Sequence, residues 1–559
     1  MPVAFSKRVA VVVGGGGGIG SCVALEFARL GATVVVVDPG VGVEGELLGE
    51  STAADTANLI NERGGSAVAS MTNVTDRIAL GKLFNGVVND HGALDFVVNA
   101  SGILRFASLV DTTDDDWNAV LDVHINGYLN VLACAIPIMA KTGYGRVVGL
   151  TSGSGLARTS PGNIAYGTAK RAVAATTWEI GHTLPKGVRV NVLSPIAATR
   201  MVRSAIAASS EGRRAKYPKG VDLSAMPQPE EMAKAVTYLV GDETDWTQGR
   251  VIFSTGSEVS IIAPPRLIEV VRSEHVDNFA AALSTLTPEV FGPAEKVQRT
   301  GGGSNSRFGA IFSSETGSAP VASARASCLI VSSDAAITAS LESALGAWGM
   351  SPVRVDGPRF LAYDPTAPWG FDATMASLVS TARQSGAIDA IVIVSGVSSP
   401  LPKTDGTSWQ QLVDSHSSVV SDVMFHGAWL RAAARYNMES GRSIRVVHIN
   451  VALTPAGRTT SSALSQMVRN ANDIPFQTPF DAFVLSLETS APEDVGPVCS
   501  LAARLVCAED ALALRGAELV ADRGWIGIRS HPGPEVTVSF GGPEFPSWVN
   551  HAFRQAVAK

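Results

Sequence analysis

The sequence predicts an α/β fold that occurs twice along the chain, as tandem doubly wound parallel sheets of which the second is a degenerate copy. Apolar runs of about five residues alternate with amphipathic segments of helical length, a rhythm typical of repeated βαβ units. The rhythm stops near Pro264-Pro265 and returns after residue 327. A chain of 559 residues is also too long for one ordinary core.

The first copy is predicted over residues 1–263, where the first strand leads directly into a helix at Ile19–Leu30. Its strands are predicted from the apolar runs Val9–Val13, Thr33–Val37, Leu94–Val98, Arg146–Leu150 and Val188–Leu193.

A connecting segment and flexible linker are predicted over residues 264–326, because the stretch after Lys296 is rich in Gly, Ser and Ala and would bury little surface. The second copy is predicted over 327–559. Its strands and helices are expected at Cys328–Val331, Ala335–Trp348, Ala390–Val394, Trp409–Tyr436 and Ile444–Val451.

The composition is that of a globular protein, with 46% hydrophobic and 17% charged residues. A net charge of −7 and the lack of a Lys/Arg stripe argue against a nucleic-acid partner. The five cysteines are scattered without metal-type spacing, so neither a disulfide framework nor a metal site is expected. We expect no membrane span, and the N-terminus lacks the apolar core of a signal peptide, which favours a cytoplasmic location.

A glycine-rich turn follows the first strand and opens the first helix, with the sequence Gly14-Gly-Gly-Gly-Gly18-Ile19-Gly20. Glycines allow backbone N–H groups to approach a pyrophosphate, and the helix N-terminus supplies partial positive charge. The strand before and the helix after this turn therefore predict a Rossmann-like dinucleotide site. Asp38 ends the second strand, where a carboxylate can accept both ribose hydroxyls and repel a 2′-phosphate, which favours NAD over NADP. The alternative is a solvated turn aspartate.

Tyr166 and Lys170 are four residues apart, so on a helix they share one face. A nearby ammonium is expected to lower the pKa of the phenol, which would let tyrosine exchange a proton with an alcohol near neutral pH.

With these motifs, residues 3–262 resemble a short-chain dehydrogenase/reductase, through the glycine turn, Asn99-Ala-Ser-Gly102, Asn126, the Tyr166/Lys170 pair and Asn191-x-x-x-Pro195. The resemblance implies an NAD-dependent oxidoreductase that moves a hydride at a secondary alcohol or ketone. It also implies that Ser152 orients the substrate oxygen, Tyr166 is the acid/base, Lys170 binds ribose and tunes the tyrosine, and Asn126 holds a relay water. The cofactor-binding positions that it implies are Gly14, Gly18, Ile19, Gly20, Asp38, Asn73, Val74, Asn99, Ala100, Gly102, Tyr166, Lys170, Pro195 and Thr199.

The position of the serine is ambiguous in the sequence. Counting back from Tyr166 by the spacing usual in the family reaches Gly153, which has no side chain, whereas counting forward from the strand reaches Ser152. The strand fixes the backbone, so Ser152 is preferred and Ser154 remains the alternative.

Several loops resemble one branch of the family, the dehydrogenase module of peroxisomal multifunctional enzymes of type 2 and its bacterial relatives. They are the insertion after Asp38 and the segments Gly102–Arg105, Ser152–Leu156 and Pro195–Met201. That resemblance implies a (3R)-hydroxyacyl-CoA thioester as substrate, and Arg105 and Arg200 could face a CoA phosphate or carboxylate. A steroid or other alcohol dehydrogenase, or a nucleotide-binding sensor without turnover, remain alternatives.

The second copy lacks the glycine turn and the Tyr/Lys pair of the first. No glycine occurs between Gly317 and Gly346, and no tyrosine follows Tyr436. His426 and Val451 stand where Asn126 and Ser152 would align. We therefore expect a silent copy that packs on the first as an internal pseudo-dimer, with a homodimer of chains also possible; a tethered domain with its own ligand is the alternative.

Overall fold

The computed structural model describes residues 4–49, 51–156, 159–204, 226–273, 283–284, 286–299, 311–312, 325–355, 371–396, 407–488, 495–522, 524–542 and 545–557. Within them the chain forms two sheets, each covered by helices on both faces.

The first sheet is built on the order expected of a doubly wound fold. Its strands along the chain are β1 (Val9–Val13), β2 (Thr33–Val37), β3 (Ser66–Ser70), β4 (Phe96–Asn99), β5 (Gly145–Leu150), β6 (Val188–Pro195), β7 (Val251–Ser254) and β8 (Glu258–Ala263). In space they follow the order β8-β7-β6-β5-β4-β1-β2-β3, and β1 to β7 are parallel. The strand order reverses between β1 and β4, where a ligand cleft is expected at the carboxyl ends of the strands.

The helices of this unit connect its strands. They are Gly18–Arg29, Thr52–Glu62, Arg77–His91, Asp114–Leu121, Gly127–Thr142, Ile164–Ile180 and Pro229–Val240. A single π-helical turn, Asp122–Asn126, joins two of them. The centre of the sheet is covered on both faces, since all five residues of β1 are buried, whereas the edge strand β3 is partly exposed.

The second sheet follows a similar order, except that its described strands include no counterpart of β3. Its strands are β9 (Leu267–Ser273), β10 (Ile311–Phe312), β11 (Ser327–Val331), β12 (Ser351–Arg354), β13 (Ala390–Ser395), β14 (Ile444–Val451), β15 (Phe480–Leu487), β16 (Glu518–Asp522) and β17 (Trp525–Arg529). They follow the order β10-β9-β17-β16-β15-β14-β13-β11-β12. The associated helices are Gly292–Arg299, Ala335–Gly346, Phe371–Ser385, Ser408–Asp414, His416–Ser440, Pro455–Asn472 and Val495–Cys507. The tandem fold class predicted from the sequence is therefore confirmed.

The two units exchange strands, so the spatial division differs from the predicted boundaries at residues 263, 326 and 327. Strand β9, which lies in the predicted linker, pairs antiparallel with β17 of the second sheet. In return β18 (Gly533–Ser539) pairs antiparallel with β8 of the first sheet. The C-terminal helix Trp548–Val557 follows it, and Asn550 accepts a hydrogen bond from Trp246 at 2.8 Å. Each added strand covers a sheet edge whose N–H and C=O groups would otherwise be unpaired.

The two units meet through equivalent helices. Helix Ile164–Ile180 follows β5, helix Pro455–Asn472 follows β14, and these two helices pack on each other. Beside them Gly427 lies against the ring of Trp117, where a Cβ atom would stand 2.7 Å from Cζ3. Equivalent helices of the two units therefore face each other at this contact.

The run Asp114–Thr142 has the length and apolar composition of a membrane span. However, 61% of its most apolar window is buried inside the protein, as in the core helix of a globular domain.

Candidate active site

The glycine turn closes tightly on itself and on the loop after β4. Gly14 has φ +76°, and a Cβ atom there would stand 2.4 Å from the backbone nitrogen of Ser101. At Gly20 a Cβ atom would stand 2.0 Å from the carbonyl oxygen of Gly14. Only glycine fits these two positions, and the turn leaves the N-terminus of helix Gly18–Arg29 facing the cleft.

A cleft of about 430 Å³ opens above this turn. Most of the predicted cofactor-binding positions line it, namely Gly14, Gly18, Ile19, Asp38, Asn73, Val74, Ala100, Gly102, Tyr166, Lys170, Pro195 and Thr199. Gly20 and Asn99 do not line the cleft, but they contact residues that do. Gly20 packs under the turn, and the side-chain oxygen of Asn99 accepts a hydrogen bond from the backbone of Ser101 at 3.2 Å.

Asp38 is held at the end of β2 by two backbone groups. One carboxylate oxygen accepts from the N–H of Gly16 at 3.0 Å, and the other accepts from the N–H of Gly40 at 2.8 Å. The carboxylate therefore faces the glycine turn within the cleft. A carboxylate keeps further lone pairs after two such bonds, so it can still accept from ribose hydroxyls.

Tyr166 and Ser152 lie together at the other end of the cleft. Burial raises the pKa of Tyr166 to about 12, and a hydrogen bond between the Ser152 and Tyr166 side chains partly opposes that rise. Tyr166 is the third residue of helix Ile164–Ile180, hereafter the tyrosine helix. Both hydroxyl groups therefore line one cleft.

Lys170 lies one turn further along the tyrosine helix. Its Nζ donates to the carbonyl oxygen of Leu150 at 2.8 Å and lies 5.6 Å from the ring centroid of Tyr166. Burial lowers the pKa of Lys170 to about 7. The expected lowering of the phenol pKa is not seen, because burial disfavours the charged phenolate and raises the pKa of Tyr166 instead.

The structure places Ser152, and not Ser154, toward Tyr166. Ser152 lines the cleft, and its Oγ accepts from the N–H of Ser154 at 3.3 Å. The Ser154 hydroxyl instead lies 3.1 Å from the hydroxyl of Ser160. Gly153 begins a short helical turn, Gly153–Gly155, between Ser152 and the tyrosine helix.

Asn126 lies behind the cleft, at the end of the π-helical turn. Its Nδ2 donates to Asp122 at 2.9 Å, while its Oδ1 is buried with no hydrogen-bond partner in the described part of the chain. Irregular turns of this kind are frequent at functional sites, and the free amide oxygen fits a bound water.

The sequence analysis missed His124, which also lines the cleft. Its ring packs edge-on against that of Tyr166 with centroids 5.2 Å apart, and Nε2 lies 2.8 Å from the carbonyl oxygen of Ile103. Burial holds the pKa of His124 well below its usual value, with the Lys170 charge acting in the same direction, so the ring is neutral. Its position two residues before Asn126 was the available signal.

The two arginines assigned to substrate recognition have different surroundings. Arg105 donates to the carbonyl oxygen of Glu44 and to Asp116, both at 3.0 Å, and so ties the insertion to the helix Asp114–Leu121. Arg200 reaches the glycine turn, where a terminal guanidinium nitrogen lies 2.7 Å from the place that a Cβ atom on Gly17 would take. Arg200 therefore faces the end of the cleft suited to cofactor phosphates.

In the second unit His426 is fully buried. Its Nε2 lies 2.7 Å from the Ser395 hydroxyl and its Nδ1 lies 2.9 Å from Nδ1 of His448. Burial lowers the pKa of His426 well below its usual value. His426 therefore lies inside a buried hydrogen-bond network with Ser395 and His448. Among the described residues, no group of three His, Cys, Asp or Glu side chains is placed to hold a metal ion.

The fold and this site together define a nicotinamide-dinucleotide-dependent oxidoreductase. A family described as enoyl-(acyl carrier protein) reductase matches residues 14–256. A 3-oxoacyl-[acyl-carrier-protein] reductase of Thermotoga maritima is 30% identical over 257 residues, which cover 45% of this chain and 98% of that protein. A short-chain type dehydrogenase/reductase of Mycobacterium tuberculosis is 37% identical over 197 residues, covering 35% and 68% of the two chains. The chain belongs to the short-chain dehydrogenase/reductase family.

The other similarities differ in extent. A peroxisomal multifunctional enzyme type 2 of Drosophila melanogaster is 37% identical over 198 residues, which are 35% of this chain and only 32% of that enzyme. The solved N-domain of a bacterial malonyl-CoA reductase with NADP has a TM-score of 0.64 at 16% identity, and covers 90% of this chain and 96% of that one. That likeness concerns the fold alone, and it extends over both units.

Proposed function

We propose that the first unit is an NAD-dependent dehydrogenase that converts a (3R)-hydroxyacyl-CoA thioester to the 3-oxoacyl-CoA. The observation that carries the proposal is that Ser152 and Tyr166 line the same cleft as the glycine turn. Lys170 stands one helical turn away from that pair.

In the proposed reaction Ser152 holds the substrate oxygen and Tyr166 takes the hydroxyl proton as the C–H bond breaks. Bound NAD would supply the hydride acceptor. The buried Lys170 ammonium stabilises negative charge on the phenol oxygen, and Asn126 would hold a water that returns the proton to solvent. Burial raises the pKa of the Tyr166 phenol to about 12. The positive charge of Lys170 must therefore outweigh this effect of burial before Tyr166 can act as a base near neutral pH.

NAD is proposed over NADP because of Asp38. A 2′-phosphate next to this carboxylate would suffer like-charge repulsion, whereas ribose hydroxyls would donate to it. The ratio of kcat/KM for NAD to that for NADP measures this preference. Asp38→Asn removes the charge, keeps an acceptor for only one of the two backbone N–H groups, and should lower the ratio at least tenfold. An unchanged ratio would assign the preference elsewhere.

The acyl-CoA substrate rests on the names of the relatives and on the apolar walls of the cleft. Those walls include Val41 and Val43 of the insertion, and Ile103. Val43 is fixed there because its carbonyl oxygen accepts from the N–H of Leu104 at 2.8 Å.

The test is the growth of NADH absorbance with NAD and (3R)-3-hydroxybutyryl-CoA, with the (3S) isomer and a steroid alcohol as comparisons. Tyr166→Phe should lower turnover by about 10² to 10⁴-fold and leave NADH affinity nearly unchanged. If the protein oxidised only the steroid alcohol, the proposal of an acyl-CoA substrate would be wrong. A wild-type protein as inert as Tyr166→Phe on every substrate, yet able to bind NADH, would identify a sensor instead of an enzyme.

A further inference from the structure

The second unit contacts the tyrosine helix directly behind the proposed catalytic pair. Arg171 follows Lys170 and is fully buried on the side that faces the second unit. Its guanidinium donates to Glu518 at 2.7 Å and to the Ser462 hydroxyl at 2.7 Å, both in the second unit. It also donates to the carbonyl oxygen of Leu156 at 3.3 Å, in the loop after the serine. One side chain thus links the tyrosine helix, the serine loop and the second unit.

Glu518 is held as a carboxylate between two arginines. Burial alone would raise its pKa, but the charges of Arg171 and Arg469 more than offset this and leave the pKa below its usual value. Both guanidiniums donate to the same carboxylate oxygen. Removal of such a buried anion would leave two cations without their partner, which is strongly unfavourable.

Asn470 makes a second, separate contact at the start of the tyrosine helix. Its side-chain oxygen accepts from the N–H of Ser160 at 2.9 Å. Its amide nitrogen lies 2.7 Å from the place that a Cβ atom on Gly167 would occupy. Gly167 is next to Tyr166, so Asn470 touches both the loop before the phenol and the helix that carries it.

We propose that the second unit, which lacks an acid/base pair of its own, serves the first as a built-in positioning subunit. Asn470 and Glu518 are its positioning residues. They hold the tyrosine helix in place, so that Tyr166 and Lys170 keep their positions relative to Ser152. The inference rests on the proposed function for its kinetic consequence. A displacement of about 1 Å in such a group costs on the order of 100-fold in rate, so the effect is large enough to measure.

The kinetic test compares Asn470→Ala with Asn437→Ala in the full chain. Asn437 is a matched control, since it is a buried asparagine of the same unit whose amide donates to the carbonyl oxygens of Arg442 and Pro479. Asn470→Ala should lower kcat at least tenfold while KM for NAD changes less than twofold. Asn437→Ala should leave both constants unchanged. Equal losses in the two variants, at a temperature where both remain folded, would overturn the proposal.

A second measurement does not depend on the substrate. Amide hydrogen exchange of residues 159–170 should become faster in Asn470→Ala and stay unchanged in Asn437→Ala. If the wild type binds NADH but turns over no substrate, the proposed function fails while this measurement still decides the positioning role. Unchanged exchange in Asn470→Ala would refute that role. Glu518→Gln should act in the same direction, and if it does not fold, Asn470→Ala remains decisive.

Discussion

Replacement of Lys170 by methionine should stabilise the cofactor-free protein while it abolishes turnover. The lysine is buried, and its pKa falls from 10.5 to about 7 because burial disfavours the charged form. A methionine of similar length fills the same space without the charge. Active-site groups are often retained at a cost to stability in this way.

The magnitude follows from the lowered pKa. Each tenfold change in proton affinity corresponds to about 1.4 kcal/mol, so a fall from 10.5 to about 7 implies that burial of the ammonium costs on the order of 5 kcal/mol. The substitution also removes the hydrogen bond from Nζ to the carbonyl oxygen of Leu150, and this loss reduces the gain in stability by roughly 1 kcal/mol. We expect a net gain of about 2 to 4 kcal/mol in the free energy of unfolding at pH 6.

The lowered pKa of Lys170 fixes how the stability difference between Lys170→Met and the wild type changes with pH. Between about pH 7 and pH 10.5 the unfolded chain binds this proton and the folded chain does not, so the cost of Lys170 declines as the pH rises through that window. The advantage of Lys170→Met should therefore be greatest below pH 7. It should be about 3 kcal/mol smaller at pH 9 than at pH 6.

Urea unfolding of the cofactor-free protein at both pH values measures this difference. Lys141→Met is the matched control, because Lys141 is exposed on the surface of helix Gly127–Thr142. Its effect on stability should be small and the same at both pH values. A Lys170→Met protein that is less stable than wild type at pH 6, or whose advantage is independent of pH, would refute the reasoning.

Three further predictions concern the cofactor cleft and the contact between the units. Gly20→Ala would place a Cβ atom 2.0 Å from a backbone carbonyl oxygen of the glycine turn, so NADH binding measured by fluorescence should be lost; tight binding would disprove the rigid turn. Arg200→Gln should weaken calorimetric binding of ADP about tenfold through loss of a charge-assisted contact, without an effect on adenosine, and equal weakening of both would place the guanidinium away from the phosphates. Gly427→Ala would put a Cβ atom 2.7 Å from the Trp117 ring and should lower stability by about 1 to 3 kcal/mol, whereas Gly346→Ala, with open space around it, should be neutral or slightly stabilising in the same melting experiment.

The sequence was sufficient for the parts of the site that depend on local spacing. The glycine turn lies between a strand and a helix, and Tyr166 and Lys170 share a helical face, because both features are set by residues a few positions apart. The second tandem sheet was also predictable, since the alternation of strands and helices is written along the chain even where the chemical groups are missing.

Only the tertiary structure decided which serine lines the cleft with Tyr166, because Ser152 and Ser154, two positions apart in one loop, differ in direction and not in chemistry. The exchange of β9 and β18 between the sheets also lay beyond the sequence, since an edge strand records no partner in its own pattern. The raised pKa of Tyr166 and the lowered pKa of Lys170 depend on burial by the whole fold. Spacing along the chain fixes which groups are neighbours, but desolvation depends on surroundings drawn from distant segments, and these come together only when the chain has folded.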